Sequence, residues 1–325
     1  MKSFQHENAQ SIPEAVSLLG SVKSAKVIAG GTDLLGGLRG GIYMDPPDFL
    51  VNLKNIPELK GIKAEKKEIT IGAATTLTEI TQSSLIKEKL PVLDLAVQKT
   101  ASKLLRNSGT IGGNICQENR CWYYRYPDQL GGRIDCVRKG GKKCLAITGE
   151  LGHHSIFGAV NKCVAVNPSD TAPALTVLEA KIITDRRTIA VEEFFTSKNG
   201  RHSTVLENDE IVVKIAVPLP LAGSKGHFEK MSTRKSIDFA IVSCAAQILT
   251  EKEKIKKANI CLGGVHCNPY PIKSAGEFLA GKKPSSELFN EFAEQAMAKA
   301  RPFPKNKYKV YISKTMIRDT LEKCC

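Results

Sequence analysis

Short stretches of alternating apolar and polar positions mark the strands of this chain. Lys26–Ala29, Phe49–Leu53, Glu68–Ala73 and Glu210–Val217 each read as a strand, the last closed by Pro218 and Pro220. Two capping boxes punctuate them. Ser11-Ile-Pro-Glu14 opens a short helix that runs to Gly20, and Thr76-Leu-Thr-Glu79 opens another. A further helix is expected over Pro91–Lys99. Past Arg106 the periodicity fails, and regular patterning resumes only at Cys163–Val166, Leu175–Leu178 and Lys181–Thr184.

A third region begins near Gly223. Strands are expected at 226–232, 239–250 and 256–264, and amphipathic helices at Glu287–Lys299 and Lys309–Leu321. Strands and helices mix without a regular βα alternation, so the fold class is α+β rather than a doubly wound sheet. The expected units are 1–55, which is βαβ-like, then 56–222 and 223–325. A chain of 325 residues, 42% of them hydrophobic, can bury cores for all three.

The net charge is +14. No nucleic-acid motif accompanies it, so a solvated surface is expected first and a face for an acidic partner second. No apolar run is long enough to span a bilayer, and no signal-peptide core follows the N-terminus, so a cytoplasmic location is expected. Ten cysteines in such a compartment do not form a disulfide framework. Cys244, Cys261 and Cys267 sit in apolar, strand-like surroundings and read as ordinary buried thiols. Cys324 and Cys325 read as an exposed, frayed tail.

Two glycine loops carry candidate chemistry. One is Ala29-Gly-Gly-Thr-Asp33 and the other Thr110-Ile-Gly-Gly-Asn114. Paired glycines let a backbone approach a ligand and aim successive N–H groups at an anion, and the hydroxyls of Thr32, Ser108 and Thr110 could add donors. Neither loop is a dinucleotide fingerprint or a P-loop, and each alone fits a tight turn. Asp170, just before a helix expected at Thr171–Leu178, equally suits an N-cap. The irregular window holds Cys121, Cys136, Cys144 and Cys163, separated by fourteen, seven and eighteen residues, among seven basic side chains and Trp122, Tyr123, Tyr124 and Tyr126. This spacing has no tight knuckle; by spacing alone a metal site of some kind ranks first and unrelated free thiols second, with zinc and an iron–sulfur cluster not separable. His153 and His154 are possible alternative ligands, but a polar loop with no metal role is the favoured reading.

In order along the chain, Ala29-Gly-Gly-Thr-Asp-Leu34, Thr110-Ile-Gly-Gly-Asn-Ile115, Ser169-Asp-Thr-Ala-Pro-Ala-Leu175 and Leu262-Gly-Gly-Val265 resemble the signature stretches of the FAD-binding medium subunits of molybdenum hydroxylases. That is the family of xanthine dehydrogenase, carbon monoxide dehydrogenase and aldehyde oxidoreductase. The insertion of about fifty residues between Asn114 and Ser169 resembles a subgroup with an extra 4Fe–4S cluster. The subgroup includes the β subunit of 4-hydroxybenzoyl-CoA reductase and the flavoprotein subunit of periplasmic-type aldehyde oxidoreductases.

The resemblance implies a vanillyl-alcohol-oxidase-type FAD-binding domain of two subdomains, with the Fe–S insertion at about 115–165, followed by a C-terminal α+β domain. Residues Val27, Ile28, Ala29, Gly30, Gly31, Thr32, Asp33 and Leu34 would wrap the FAD pyrophosphate, met by Thr110, Ile111, Gly112, Gly113 and Asn114 from the second subdomain. Asp170 would bind the ribityl or adenylate side, Val213 would pack on the cofactor, and Lys230 would lie near the flavin. Thr100 matches a position that is aromatic in some members. The cluster ligands would be Cys121, Cys136, Cys144 and Cys163, with Cys116 a spare thiol.

These features imply an electron-transfer subunit. A large subunit would hold the molybdenum cofactor, a small subunit two 2Fe–2S clusters, and an external carrier, ferredoxin or NAD, would exchange electrons with FAD. A dimer of heterotrimers is the implied assembly. No catalytic triad or paired-carboxylate site stands out, so no catalytic residue is expected on this chain. Two rival readings are a stand-alone flavin oxidase of the same fold and a zinc-stabilised interaction subunit.

Overall fold

The computed structural model describes residues 2–195 and 202–325. Its first region is a three-stranded parallel sheet. Strands β1 (Gln5–Asn8), β2 (Ala25–Ile28) and β3 (Phe49–Asn52) pair in the order β1-β3-β2, with helices α1 (Ile12–Ser21) and α2 (Leu34–Arg39) in the connections. Ser11 caps α1, its hydroxyl accepting from the Glu14 N–H at 3.3 Å, but the expected box does not close, because Glu14 Oε2 accepts from the Gln10 N–H at 2.7 Å instead. β1 went unforeseen. All four of its residues are exposed, so it is an edge strand with no buried face to impose a pattern.

The second region is a five-stranded antiparallel sheet in the order β4-β5-β8-β6-β7. Its strands are β4 (Ile62–Ala64), β5 (Glu68–Gly72), β6 (Lys181–Thr184), β7 (Thr188–Ala190) and β8 (Val212–Pro218). Helices α3 (Leu77–Gln82), α4 (Ser84–Lys89), α5 (Pro91–Gln98), α6 (Lys103–Ser108) and α7 (Ile111–Ile115) follow β5. Helix α8 (Thr171–Val177) precedes β6, and α9 (Val191–Phe194) follows β7. Ile69 and Ile71 of β5, Leu93 and Val97 of α5, and Ile182 and Ile215 share one buried core.

Between α7 and α8 lies the cysteine window. Among the described residues it contains only 3-10 turns at Asp128–Leu130, Val137–Lys139 and Leu145–Thr148. The regular element expected at Cys163–Val166 does not form. That stretch makes two isolated bridges instead, Arg120 to Val166 and Val160 to Cys163.

The third region is the antiparallel sheet β12-β11-β10-β9, with β9 (Ser224–Met231), β10 (Val242–Glu251), β11 (Lys254–Gly263) and β12 (Tyr270–Pro271). Helices α10 (Ala275–Leu279), α11 (Ser286–Ala296) and α12 (Tyr308–Glu322) follow. Strand β10 is buried on both faces over most of its length. Cys244, Ala246 and Ile248 of β10 pack with Phe292 and Ile317 from the helices. Ala245 on the opposite face joins Phe228 and Cys261 in the core of the second region. A strand covered on both sides reads as a near-continuous apolar run, which is why 239–250 showed no alternation. Phe228 is fully buried and contributes about 1.5–3 kcal/mol. Cys324 is buried in the core beside α12, so only Cys325 is the exposed tail expected for the pair.

At α3 the capping box is complete. Thr76 Oγ1 accepts from the Glu79 N–H at 3.2 Å, and Glu79 Oε2 accepts from the Thr76 N–H at 2.7 Å. Thr76→Ala should cost about 1 kcal/mol, read as a lower urea midpoint with an unchanged slope.

Candidate functional site

The two glycine loops press against each other. A Cβ on Gly30 would come within 2.3 Å of the Ser108 carbonyl oxygen, so only glycine lets the turn after β2 lie on the end of α6. Ser108 Oγ donates to the Gly30 carbonyl at 3.1 Å, and Gly31 sits at φ +68°. In the second loop Thr110 Oγ1 caps α7 by accepting from the Gly113 N–H at 3.1 Å. Ile111 points into the core. Gly112 N–H donates to the Ala73 carbonyl at 2.9 Å, an approach a side chain would block.

The loops form the waist of a cleft with two lobes. Val27, Ile28, Ala29, Leu34 and Gly112 line the first lobe, together with Tyr43 and Val212. Thr100, Asn114, Asp170, Lys230 and Phe239 line the second. Thr32, Asp33, Thr110, Gly113 and Gln117 line both. The lobes enclose about 1390 and 800 Å³, open mouths included. Among the described residues, no protein acceptor takes the backbone N–H groups of Gly30, Gly31, Thr32 or Asp33. Arg120 Nε and Arg125 Nη1, close by, are likewise buried without a partner. A long cleft with spare donors at its waist fits an extended ligand with an anionic middle, as a dinucleotide has. Three expected residues lie off this lining: Val213 packs on the core of the first region, Ile111 is buried in the core of the second, and Ser108 stands behind Gly30.

Asp33 has a role that the loop motif did not signal. Its Oδ1 accepts from Arg120 at 2.7 Å and from Arg125 at 2.9 Å, and its Oδ2 accepts from the Glu118 N–H at 2.9 Å. Burial pushes its pKa up, but the two guanidinium groups outweigh that and hold it below the usual carboxylate range. Arg120 also lies over the Phe239 ring, 4.3 Å from its centroid. The cleft waist is thereby tied to the residue that precedes Cys121.

The four expected cysteines gather around that point. Cys121 packs on three small apolar clusters, which hold Cys136, Cys144 and Cys163 respectively. Burial raises the Cys121 thiol to about 12 and raises that of Cys144. Cys163 is pulled the other way by Cys267, with Arg138 adding to the effect. Cys267, foreseen only as a buried thiol, thus sits beside an expected ligand, and its Sγ donates to the carbonyls of Cys163 and Ala165. Its distance along the chain from the window concealed this. Of the two histidines, His153 is exposed against Trp122, but His154 is buried with Nε2 3.1 Å from Cys121 Sγ. The expected polar loop therefore describes only the first.

In the second lobe, Asp170 and Lys230 form a buried pair at 2.6 Å, and Lys230 Nζ also donates to the Lys99 carbonyl at 2.9 Å. Asn114 Oδ1 accepts from Ser169 Oγ at 2.6 Å and Thr171 Oγ1 at 2.7 Å. Thr100 turns its hydroxyl back to the Ala96 carbonyl. Burial raises the Asp170 pKa from 3.8 to about 6, although Lys230 opposes the shift. A carboxyl whose folded pKa is raised destabilises the fold as pH climbs from its unfolded value to its folded one. Between about pH 4 and 6, wild-type apoprotein should lose stability relative to Asp170→Asn, with no further divergence above. Urea unfolding across that range is the check; a constant difference refutes it.

Comparison with known proteins identifies both parts of the chain. Residues 2–220 match the family described as the FAD binding domain in molybdopterin dehydrogenase, and 227–323 match the CO dehydrogenase flavoprotein C-terminal domain. The chain is 29% identical to the aldehyde oxidoreductase FAD-binding subunit PaoB of Escherichia coli K12, over 99% of this chain and 98% of that one. It is 28% identical to the carbon monoxide dehydrogenase medium chain of Hydrogenophaga pseudoflava, over 92% and 88%. The solved carbon monoxide dehydrogenase from the same organism superposes with a TM-score of 0.77, at 24% identity, over 99% and 97%. The quinoline 2-oxidoreductase of Pseudomonas putida 86 gives 0.76, at 21%, over 100% and 98%. Those two likenesses establish the fold. With its glycine loops inside the matched domain, this chain belongs to the FAD-binding medium-subunit family of the molybdenum hydroxylases.

Proposed function

We propose that this chain is the electron-transfer subunit of a multi-subunit molybdenum hydroxylase-type oxidoreductase, holding FAD in the two-lobed cleft and a 4Fe–4S cluster in the insertion. The observation that carries the reading is the Asp33 clamp, which joins the nucleotide loop to the cysteine window through Arg120 and Arg125. Residues 27–34 and 110–114 would hold the pyrophosphate, Asp170 and Lys230 would face the flavin half, and Cys121, Cys136, Cys144 and Cys163 would bind the cluster. Bound there, FAD would take up electrons in pairs and release them singly, and the cluster would exchange them one at a time.

The chain's own residues bind, orient and insulate. Thiols around one zinc ion stand about 3.8 Å apart, given a Zn–S distance near 2.3 Å. Among the described residues no three of His, Cys, Asp or Glu are grouped tightly enough to hold one metal ion. A cubane takes one cysteine per iron, so four thiolates on an irregular loop could hold it, and it is the resemblance of the insertion that favours the cluster over zinc. Arg138 and Lys139 are both buried in the window and suit a negatively charged centre. The partners in this reading are a large molybdenum-cofactor subunit, a small 2Fe–2S subunit and an external carrier, ferredoxin or NAD, assembled in the cytoplasm as a dimer of heterotrimers. The proposed units are 1–55, 56–222 and 223–325, with the insertion at about 115–165.

The deciding experiment is a cofactor inventory on protein purified without oxygen. About one FAD with about four iron and four sulfide per chain is expected. Zinc without sulfide refutes the cluster, and failure to take up FAD on reconstitution refutes the flavin role. In a second test, Cys136→Ser should lose cluster iron while FAD content stays unchanged; iron retained in full would remove Cys136 from the ligand set.

A further inference from the structure

His154 stands outside every role assigned so far. Its main chain is pinned from several directions. The His154 N–H donates to the Leu151 carbonyl at 3.0 Å. Its own carbonyl accepts from Asn306 Nδ2 and from Lys309 Nζ, each at 3.2 Å. Lys309 Nζ bonds the carbonyls of His153 and Gly264 as well, which locks α12 against this segment. The imidazole is 1% exposed, with Nε2 3.1 Å from Cys121 Sγ. Its Nδ1 is buried with no partner.

A neutral imidazole has one N–H donor and one bare acceptor nitrogen. A sulfur that has lost its proton can only accept, so the donor belongs on Nε2 and the bare nitrogen is the unpartnered Nδ1. The reverse tautomer would bury an N–H with nothing to receive it and set two acceptors against each other.

We propose that His154 is a positioning and tuning residue: its Nε2–H donates a hydrogen bond to the Cys121 thiolate and makes the cluster bound there easier to reduce. Hydrogen bonds to cluster sulfurs are a principal control on reduction potential, because they stabilise the more negative, reduced state. The inference rests on the cluster reading above, and the two fail at different measurements.

The test uses the anaerobically purified complex, with iron and sulfide counted before potentials are measured. His154→Phe removes the donor but keeps a ring, and His154→Gln keeps an N–H donor. With iron unchanged, an electron paramagnetic resonance titration should place the Phe variant lower by at least about tenfold in the reduction equilibrium, which is 59 mV for one electron. The Gln variant should recover much of that. An unmoved potential in the Phe variant overturns the proposal, and so does loss of iron from both variants, which would make His154 a ligand. Wild-type protein labelled with ¹⁵N-histidine supplies a readout independent of folding. Pulsed spectroscopy of the reduced cluster should show one weakly coupled nitrogen; a strong coupling means direct ligation, and none means no bond. If the wild type contains no iron and sulfide, the cluster reading itself falls and this inference with it.

Discussion

A single carboxylate links the two candidate redox sites. Asp33 leaves the end of the first glycine loop and takes two arginines and a backbone N–H from the start of the cysteine window. Two guanidinium groups facing each other in a half-buried site would repel, and a shared carboxylate reverses the sign of that interaction. Arg120 then has its position set twice, by Asp33 on one side and by the Phe239 ring on the other. Cys121 follows it directly in the chain, so the geometry of the first glycine loop is passed on to the thiols with little slack.

The window itself is held without sheet or helix. In their place it has buried cations that find carbonyls, carboxylates and rings. Arg138 pairs with Glu118 at 3.3 Å, bonds Ser203 Oγ at 3.2 Å and lies 5.5 Å from the centroid of Tyr124. Lys309 is fixed by three carbonyls. Burying charge this way is costly, the more so because, among the described residues, Arg120 Nε, Arg125 Nη1 and Lys139 Nζ have no hydrogen-bond partner. The basic side chains around the cysteines therefore serve the folding of an irregular segment as well as the charge of whatever the thiols hold.

Much of this was legible in the sequence because local chemistry decided it. The caps at Ser11 and Thr76, strands β5 and β8 of the central sheet and both glycine loops follow from short-range rules, whereas the short strands β4 and β7 went unforeseen. What stayed hidden depended on distant neighbours. Gly30 owes its identity to Ser108, seventy-eight positions away. Asp33 looked like part of a ligand cradle, yet its carboxylate is engaged by Arg120 and Arg125. Cys324 looked like a tail until α12 carried it into a core. His154 and Cys267 gain their interest only from Cys121 and Cys163, and no periodicity announces a meeting between irregular segments. β1 was missed for the opposite reason, since an exposed polar edge leaves no pattern at all.

The bonds from Asn114 to Ser169 and Thr171 also bear on how such a subunit can evolve. They fasten together the two ends of the excursion that contains the cysteines, so the flanking helices meet whatever lies between them. Once ends are fixed in this way, lengthening the connection adds only about 0.6 kcal/mol of closure entropy per doubling. The join is a natural grafting point, at which a lineage could lengthen or shorten the cysteine segment beyond Arg125 while its two ends stayed fastened.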